Sequence, residues 1–141
     1  MKRQASAEWH GDLKAGKGSL STESGVLKET PYSFSTRFEG EKGTNPEELV
    51  AAAHAGCFTM ALSAELGKVN LTPQTLRTTA AVTLEKDGGG WTIGASHLDV
   101  VGQVPGAAPD VFQKAAETAK TNCPMSRLLN AKITMTAKLE S

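Results

Sequence analysis

Aromatic residues are scarce in this 141-residue chain: two Trp, one Tyr and four Phe, 5% of the total. An excess of charge of either sign is missing altogether. Lys and Arg number 15, Asp and Glu number 15, and the formal net charge is zero. Without a basic excess there is little counterion release to drive nucleic-acid binding, so no nucleic-acid partner is expected. No run approaches 18 consecutive apolar residues, so no membrane span and no membrane partner are expected. The polar start, Met1-Lys2-Arg3-Gln4-Ala5-Ser6, lacks the apolar run of a signal peptide, and a cytoplasmic location follows as the expectation. Repeats and low-complexity segments are absent too. With 39% apolar and 21% charged residues the composition is that of an ordinary globular chain, and the length suits a single domain over 1–141.

Cysteine is rare as well, and the two that occur are informative. Cys57 and Cys123 lie 66 residues apart, which fits neither a C-x-x-C redox motif nor a zinc-finger spacing. In a reducing compartment they are inert core residues, a metal pair or a redox pair.

The first third reads as β structure. Trp9 and Leu13 sit among polar positions, Gly16 and Gly18 mark a turn, and Ser19–Thr22 alternates like a strand. Tyr32–Phe38 also alternates, so a third strand is expected, with Tyr32, Phe34, Thr36 and Phe38 on one face and Arg37 on the other. A long helix follows. Asn45 is its N-cap, Pro46 opens it, Glu47 and Glu48 occupy its first turn, and Gly67 ends it. Leu49–Ala64 carries no charge, so the helix is expected to be buried nearly all round. Its alanines and Gly56 would allow close approach of another backbone. Strands over Leu76–Glu85 and Trp91–Val104 flank the turn Lys86-Asp87-Gly88-Gly89-Gly90, which is no phosphate loop because no helix follows it. A helix over Asp110–Lys120, a helical turn after Cys123-Pro124 and a strand over Lys132–Leu139 complete an α+β order, β-β-β-α-β-β-α-α-β, with mostly antiparallel sheets around the long helix.

Few side chains here can do chemistry. Cys57, inside the apolar helix, is either a small buried hydrophobe or a thiol that needs a nearby cation to ionise. Arg37 is the available cation, and Glu47 could hold its guanidinium plane in a bidentate pair. Glu47 and Glu48 could equally do no more than complement the helix dipole. Cys123 precedes Pro124, as an N-cap facing free backbone N–H groups, which favours a thiolate; it could also be a turn cysteine without a role. His54 lies three residues before Cys57 on roughly the same helix face. That pairing is a Cys–His dyad, half a metal site, or simply a buried, hydrogen-bonded histidine.

Taken together, these segments resemble a known family. Arg37-Phe38-Glu39-Gly40-Glu41-Lys42-Gly43-Thr44-Asn45-Pro46-Glu47-Glu48-Leu49, followed by Ala51-Ala52-Ala53-His54-Ala55-Gly56-Cys57-Phe58, is similar to the signature of the OsmC/Ohr peroxidases. Asn122-Cys123-Pro124-Met125-Ser126 resembles that family's second cysteine motif, and Ala7–Asp12 and Ser21–Leu27 fit too. The resemblance implies an intertwined homodimer with long central helices and a cysteine-based peroxidase acting on hydroperoxides, organic ones preferred. By the same resemblance Cys57 is the peroxidatic cysteine, Cys123 the resolving one, Arg37 the activator of the thiolate and Glu47 the residue that orients Arg37. A thiol reductant would close the cycle, with no metal or other cofactor. Leu49, Phe58 and Met60 would supply an apolar lining for an alkyl or lipid hydroperoxide. Two other functions stay open on the residues alone: a non-catalytic dimeric ligand-binding domain, and a Cys–His hydrolase using Cys57 and His54.

Helix geometry adds one more expectation. Glu47 and Cys57 are ten residues apart on one helix, about 15 Å along its axis and about 80° around it. One arginine cannot span that gap. An antiparallel crossing of two copies near Ala52 would bring Glu47 of one protomer beside Cys57 of its partner, giving a homodimer with composite sites.

Overall fold

The first strand, β1 (Ala5–His10), turns through Gly11–Gly16 into β2 (Lys17–Thr22), and β2 pairs on its other side with a three-residue β3 (Thr30–Tyr32). Both pairings are antiparallel. The computed structural model describes residues 1–140 and resolves into two compact units, 1–49 and 50–141. This three-stranded sheet belongs to the first. Trp9 and Tyr32 meet across it with ring centroids 5.6 Å apart. Gly18 stands between them, and a Cβ there would lie 2.5 Å from atoms of both rings, so only glycine permits the approach.

The expected strand over Tyr32–Phe38 is not one. The strand stops at Tyr32, and Phe34–Phe38 is a short helix, α1. Ser33 is its N-cap: its Oγ accepts from the Thr36 backbone N–H at 3.2 Å, and the Thr36 hydroxyl accepts from the Ser33 N–H at 2.9 Å. This reciprocal capping box satisfies two donors that a strand would have left to a sheet edge. Phe34 and Phe38, four residues apart, then stack at 4.9 Å between centroids. Over so few residues, alternation and four-residue spacing select the same aromatics, and the cap decides.

Helix α2 (Pro46–Gly67) begins in the first unit and runs through the second. Asn45 caps it, its Oδ1 accepting from the Glu48 N–H at 2.9 Å. By length and composition α2 is apolar enough to cross a membrane, but its stripe His54, Phe58, Leu62 and Leu66 is fully buried in the unit 50–141, as in a core helix. That stripe also corrects the expectation of burial all round. The chain covers one face only; Ala52, Ala53, Gly56, Met60 and Ala64 on other faces stay exposed, Met60 at 78%.

The second unit is built on a sheet of order β4-β5-β6, from β4 (Thr75–Asp87), β5 (Gly90–Gln103) and β6 (Lys132–Glu140). β4 and β5 form a hairpin, while β5 and β6 pair in parallel, so among the described residues three of the four pairings are antiparallel. The parallel pair needs a crossover, supplied by α3 (Pro109–Asn122) and α4 (Pro124–Leu128). Ser96, Leu98, Val100, Gly102 and Val104 alternate inward from β5 and its extension. They face a core that includes Phe58, Leu62 and Leu66 of α2 and Phe112, Ala116 and Ala119 of α3. Each of the large side chains contributes roughly 1.5–3 kcal/mol by leaving water. A Cβ at Gly102 would lie 2.7 Å from the Phe112 ring, so this glycine lets α3 pack directly on β5.

Candidate active site

In the unit 50–141, Cys57 and Cys123 come together. Cys57 is half-buried on α2, and Cys123 is fully buried between α3 and α4; both are free thiols. They are close enough for Cys123 to act directly on the Cys57 thiol. Cys123 is the N-cap of α4: its Sγ accepts from the Ser126 backbone N–H at 3.4 Å, with Pro124 at the first helical position. The Met125 N–H hydrogen-bonds Cys57. One turn of a five-residue helix therefore offers a backbone amide to each sulfur.

These amides do not make Cys57 acidic. Burial pushes its thiol above the ordinary cysteine value, the Met125 amide pulls it down, and the hydrogen bond and charge of Cys123 push it up again. Every group behind this direction lies within the unit 50–141.

His54 does not pair with Cys57. Its ring is fully buried, and burial lowers its pKa and keeps it neutral. Nδ1 meets Ser96 Oγ at 2.7 Å and Nε2 meets Ser126 Oγ at 2.8 Å, so both nitrogens are occupied and the Cys57–His54 dyad of a hydrolase is not formed. Among the described residues no group of three or more His, Cys, Asp or Glu side chains could hold a metal ion.

Arg37 and Glu47 meet within the unit 1–49. Arg37 Nη2 donates to Glu47 Oε1 at 2.6 Å, and Nε lies 3.2 Å from both carboxylate oxygens. This two-point pairing fixes the guanidinium plane and leaves Nη1 outside the pair. The guanidinium carbon also lies 5.1 Å from the Phe38 ring centroid. With Trp9, Tyr32, Phe34 and Phe38, Arg37 lines a cavity of about 260 Å³. This aromatic cavity was not foreseen from the sequence, because it depends on the turn of α1. Of the side chains expected to line the site, Phe58 is fully buried in the core and Met60 is mostly exposed. Ser96 and Ser126 were missed as well. For Ser126 the signal was available: a hydroxyl three residues after an N-cap cysteine stands at the reciprocal capping position.

Comparisons with known proteins agree on one family. A family profile described as OsmC-like protein matches residues 39–138, a span that crosses both units. Peroxiredoxin OsmC of Escherichia coli (strain K12) is 50% identical over 139 residues, covering 99% of this chain and 97% of that protein, and its Shigella flexneri counterpart matches equally well. Among solved structures, the organic hydroperoxide resistance protein OhrB of Bacillus subtilis aligns with a TM-score of 0.69 at 26% identity, covering 97% of this chain and 98% of that one. An OsmC-like protein of unknown function from Vibrio cholerae shares the fold with a TM-score of 0.77 at 16% identity, covering 97% and 99%.

Proposed function

Since this chain belongs to the OsmC-like family, we propose that it is a thiol-dependent peroxidase that reduces hydroperoxides, organic ones preferred, through a cycle on Cys57 and Cys123. The observation that carries this reading is the adjacency of two free thiols that are 66 residues apart in sequence. The Cys57 thiolate attacks one peroxide oxygen; an S–O bond forms, the O–O bond breaks, and the alkoxide leaves as alcohol after taking a proton. Cys57 is then a sulfenic acid. The Cys123 sulfur attacks Cys57, the S–S bond forms, and the S–O bond breaks to release water. Two equivalents of an external thiol restore both cysteines by exchange. A reductant of this class and two free cysteines suit a cytoplasmic enzyme.

Burial disfavours the thiolate, so a cation has to be brought to Cys57. Arg37 is that cation, held in plane by Glu47, and the aromatic cavity beside it suits an alkyl group. The spacing of Glu47 and Cys57 along α2 argues that Arg37 acts on the Cys57 of a second copy. The small, uncovered face of α2, with Ala52, Ala53 and Gly56, is where two copies could cross closely as a homodimer with composite sites. Both units then belong to one peroxidase domain over 1–141.

Thiol titration before and after one equivalent of an alkyl hydroperoxide tests the cycle. Two thiols should disappear per chain, and dithiothreitol should restore both. Cys57→Ser should abolish turnover, whereas Cys123→Ser should still form the sulfenic acid and then over-oxidise. Activity retained in Cys57→Ser would refute the assignment, and an undiminished thiol count would favour a binding domain.

A further inference from the structure

The two-cysteine cycle leaves a buried cluster without a task. His54 and Ser96 are both fully buried, and hydrogen bonds run from Ser96 Oγ to His54 Nδ1 at 2.7 Å, from His54 Nε2 to Ser126 Oγ at 2.8 Å, and from Ser126 Oγ to Cys123 Sγ at 3.5 Å. A histidine needed only for packing could satisfy its nitrogens on any neighbouring carbonyl. This one is connected, through a single hydroxyl, to a sulfur that must lose a proton during turnover. Three elements converge to make the connection: α2 supplies His54, the inward face of β5 supplies Ser96, and α4 supplies Ser126. The ring is neutral, so it has a nitrogen free of charge to receive a proton.

We infer that Ser126 and His54 form a proton relay that deprotonates Cys123 as it attacks the oxidised Cys57. Ser126 is then a catalytic residue of disulfide formation, and His54 is the positioning residue behind it. The inference rests on the peroxidase cycle proposed above. In the step itself, the Cys123 proton passes to Ser126 Oγ while the Ser126 hydroxyl proton passes to His54 Nε2. Ser96 accepts from Nδ1–H and holds the ring in this tautomer. The electron pair left on Cys123 forms the S–S bond. The Cys57 S–O bond breaks heterolytically, the hydroxide leaving the half-buried Cys57 takes a proton from solvent to become water, and the imidazolium later gives its proton back through Ser126 when Cys123 is reduced. The relay involves no oxidant beyond the hydroperoxide already consumed.

Single-turnover kinetics separate this step from the preceding one. Reduced protein is mixed with one equivalent of tert-butyl hydroperoxide; sulfenic acid is followed by dimedone trapping and disulfide by loss of the second thiol. In Ser126→Ala, disulfide formation should slow about 100-fold relative to sulfenic acid formation, the low end of what positioned acid–base groups supply. Ser126→Thr keeps the hydroxyl and should restore the ratio, which a loss of packing alone would not produce. His54→Gln can hydrogen-bond Ser126 but cannot take its proton, so it should resemble Ser126→Ala. The relay is overturned if Ser126→Ala closes the disulfide at the wild-type ratio, or if Ser126→Thr is as slow as Ser126→Ala. Should His54→Gln fail to fold, the two Ser126 variants decide the matter. If wild-type protein forms no sulfenic acid, the peroxidase reading itself fails and takes the relay with it; a sulfenic acid that closes equally fast in every variant removes the relay alone.

Discussion

Mixing two inactive variants gives a quantitative test of the composite site. Arg37→Ala removes the guanidinium that bonds Glu47 at 2.6 Å and 3.2 Å. The Glu47 side chain is only 12% exposed, so its carboxylate loses a charged partner in a partly dry setting. The cost should be about 1–2 kcal/mol, above a typical surface pair and below a fully buried one. That corresponds to a drop in Tm of roughly 2–8 °C for a chain of this size, at about 2–4 °C per kcal/mol. The protein stays folded, while peroxide consumption should fall about 100-fold with the loss of a preorganised cation. Cys57→Ser should be inactive outright. In a heterodimer of the two variants, one site lacks both Arg37 and Cys57. The other combines Arg37 from the Cys57→Ser protomer with Cys57 from the Arg37→Ala protomer and is intact. Random exchange of equal amounts puts about half the chains in heterodimers with one working site in two, so about a quarter of wild-type activity should return. The assay is hydroperoxide consumption with a dithiol reductant, alongside native mass spectrometry of the mixture. Heterodimers that form but remain inactive would refute the crossing geometry and place each site within a single protomer.

Two further outcomes follow from the same structure. Burial lowers the His54 pKa below its unfolded value of 6.5, so the unfolded chain binds a proton that the folded chain refuses. Stability should therefore fall as pH drops through 6.5 toward the folded value, and a Tm-against-pH series should lose that component in His54→Gln. Ser33→Ala removes the cap of α1, which should cost about 1 kcal/mol and lower the peroxidase rate through Arg37, whereas Ser33→Thr should preserve both Tm and rate.

Local chemistry was the readable layer of this chain. The Asn45 cap, the Gly-rich hairpin after Asp87 and the Cys123-Pro124 helix start each rest on a few adjacent residues, and each stands where the sequence placed it. Phe34 and Phe38 were misread because a strand and a helix both put them on one side, and the deciding partner, Thr36, bonds through its hydroxyl where a Glu or Gln is the familiar signal. The apolar stretch of α2 reported that the helix avoids water without saying which face this chain covers. The aromatic cavity at Arg37 and the His54 cluster depend on residues from separate elements, such as Ser96 and Ser126, which no local pattern joins.

The parallel pairing of β5 with β6 has a consequence for how the chain comes to fold. The β4–β5 hairpin closes a turn of a few residues and can form within microseconds, as hairpins do. β6 has to return from residue 132 to pair with residue 95, a sequence separation of 37. Contacts of that range pay chain-closure entropy before they return any stabilisation. The segment that must dock in this interval is α3–α4, which carries Cys123. Cys123 lies within the connection that this long-range pairing closes. A chain emerging from synthesis holds Cys57 without its neighbour until nearly all of its length is available. On the proposed cycle, an encounter with peroxide in that interval would leave a Cys57 sulfenic acid with no intramolecular thiol to receive it, and nascent molecules would be more exposed to irreversible oxidation than folded ones.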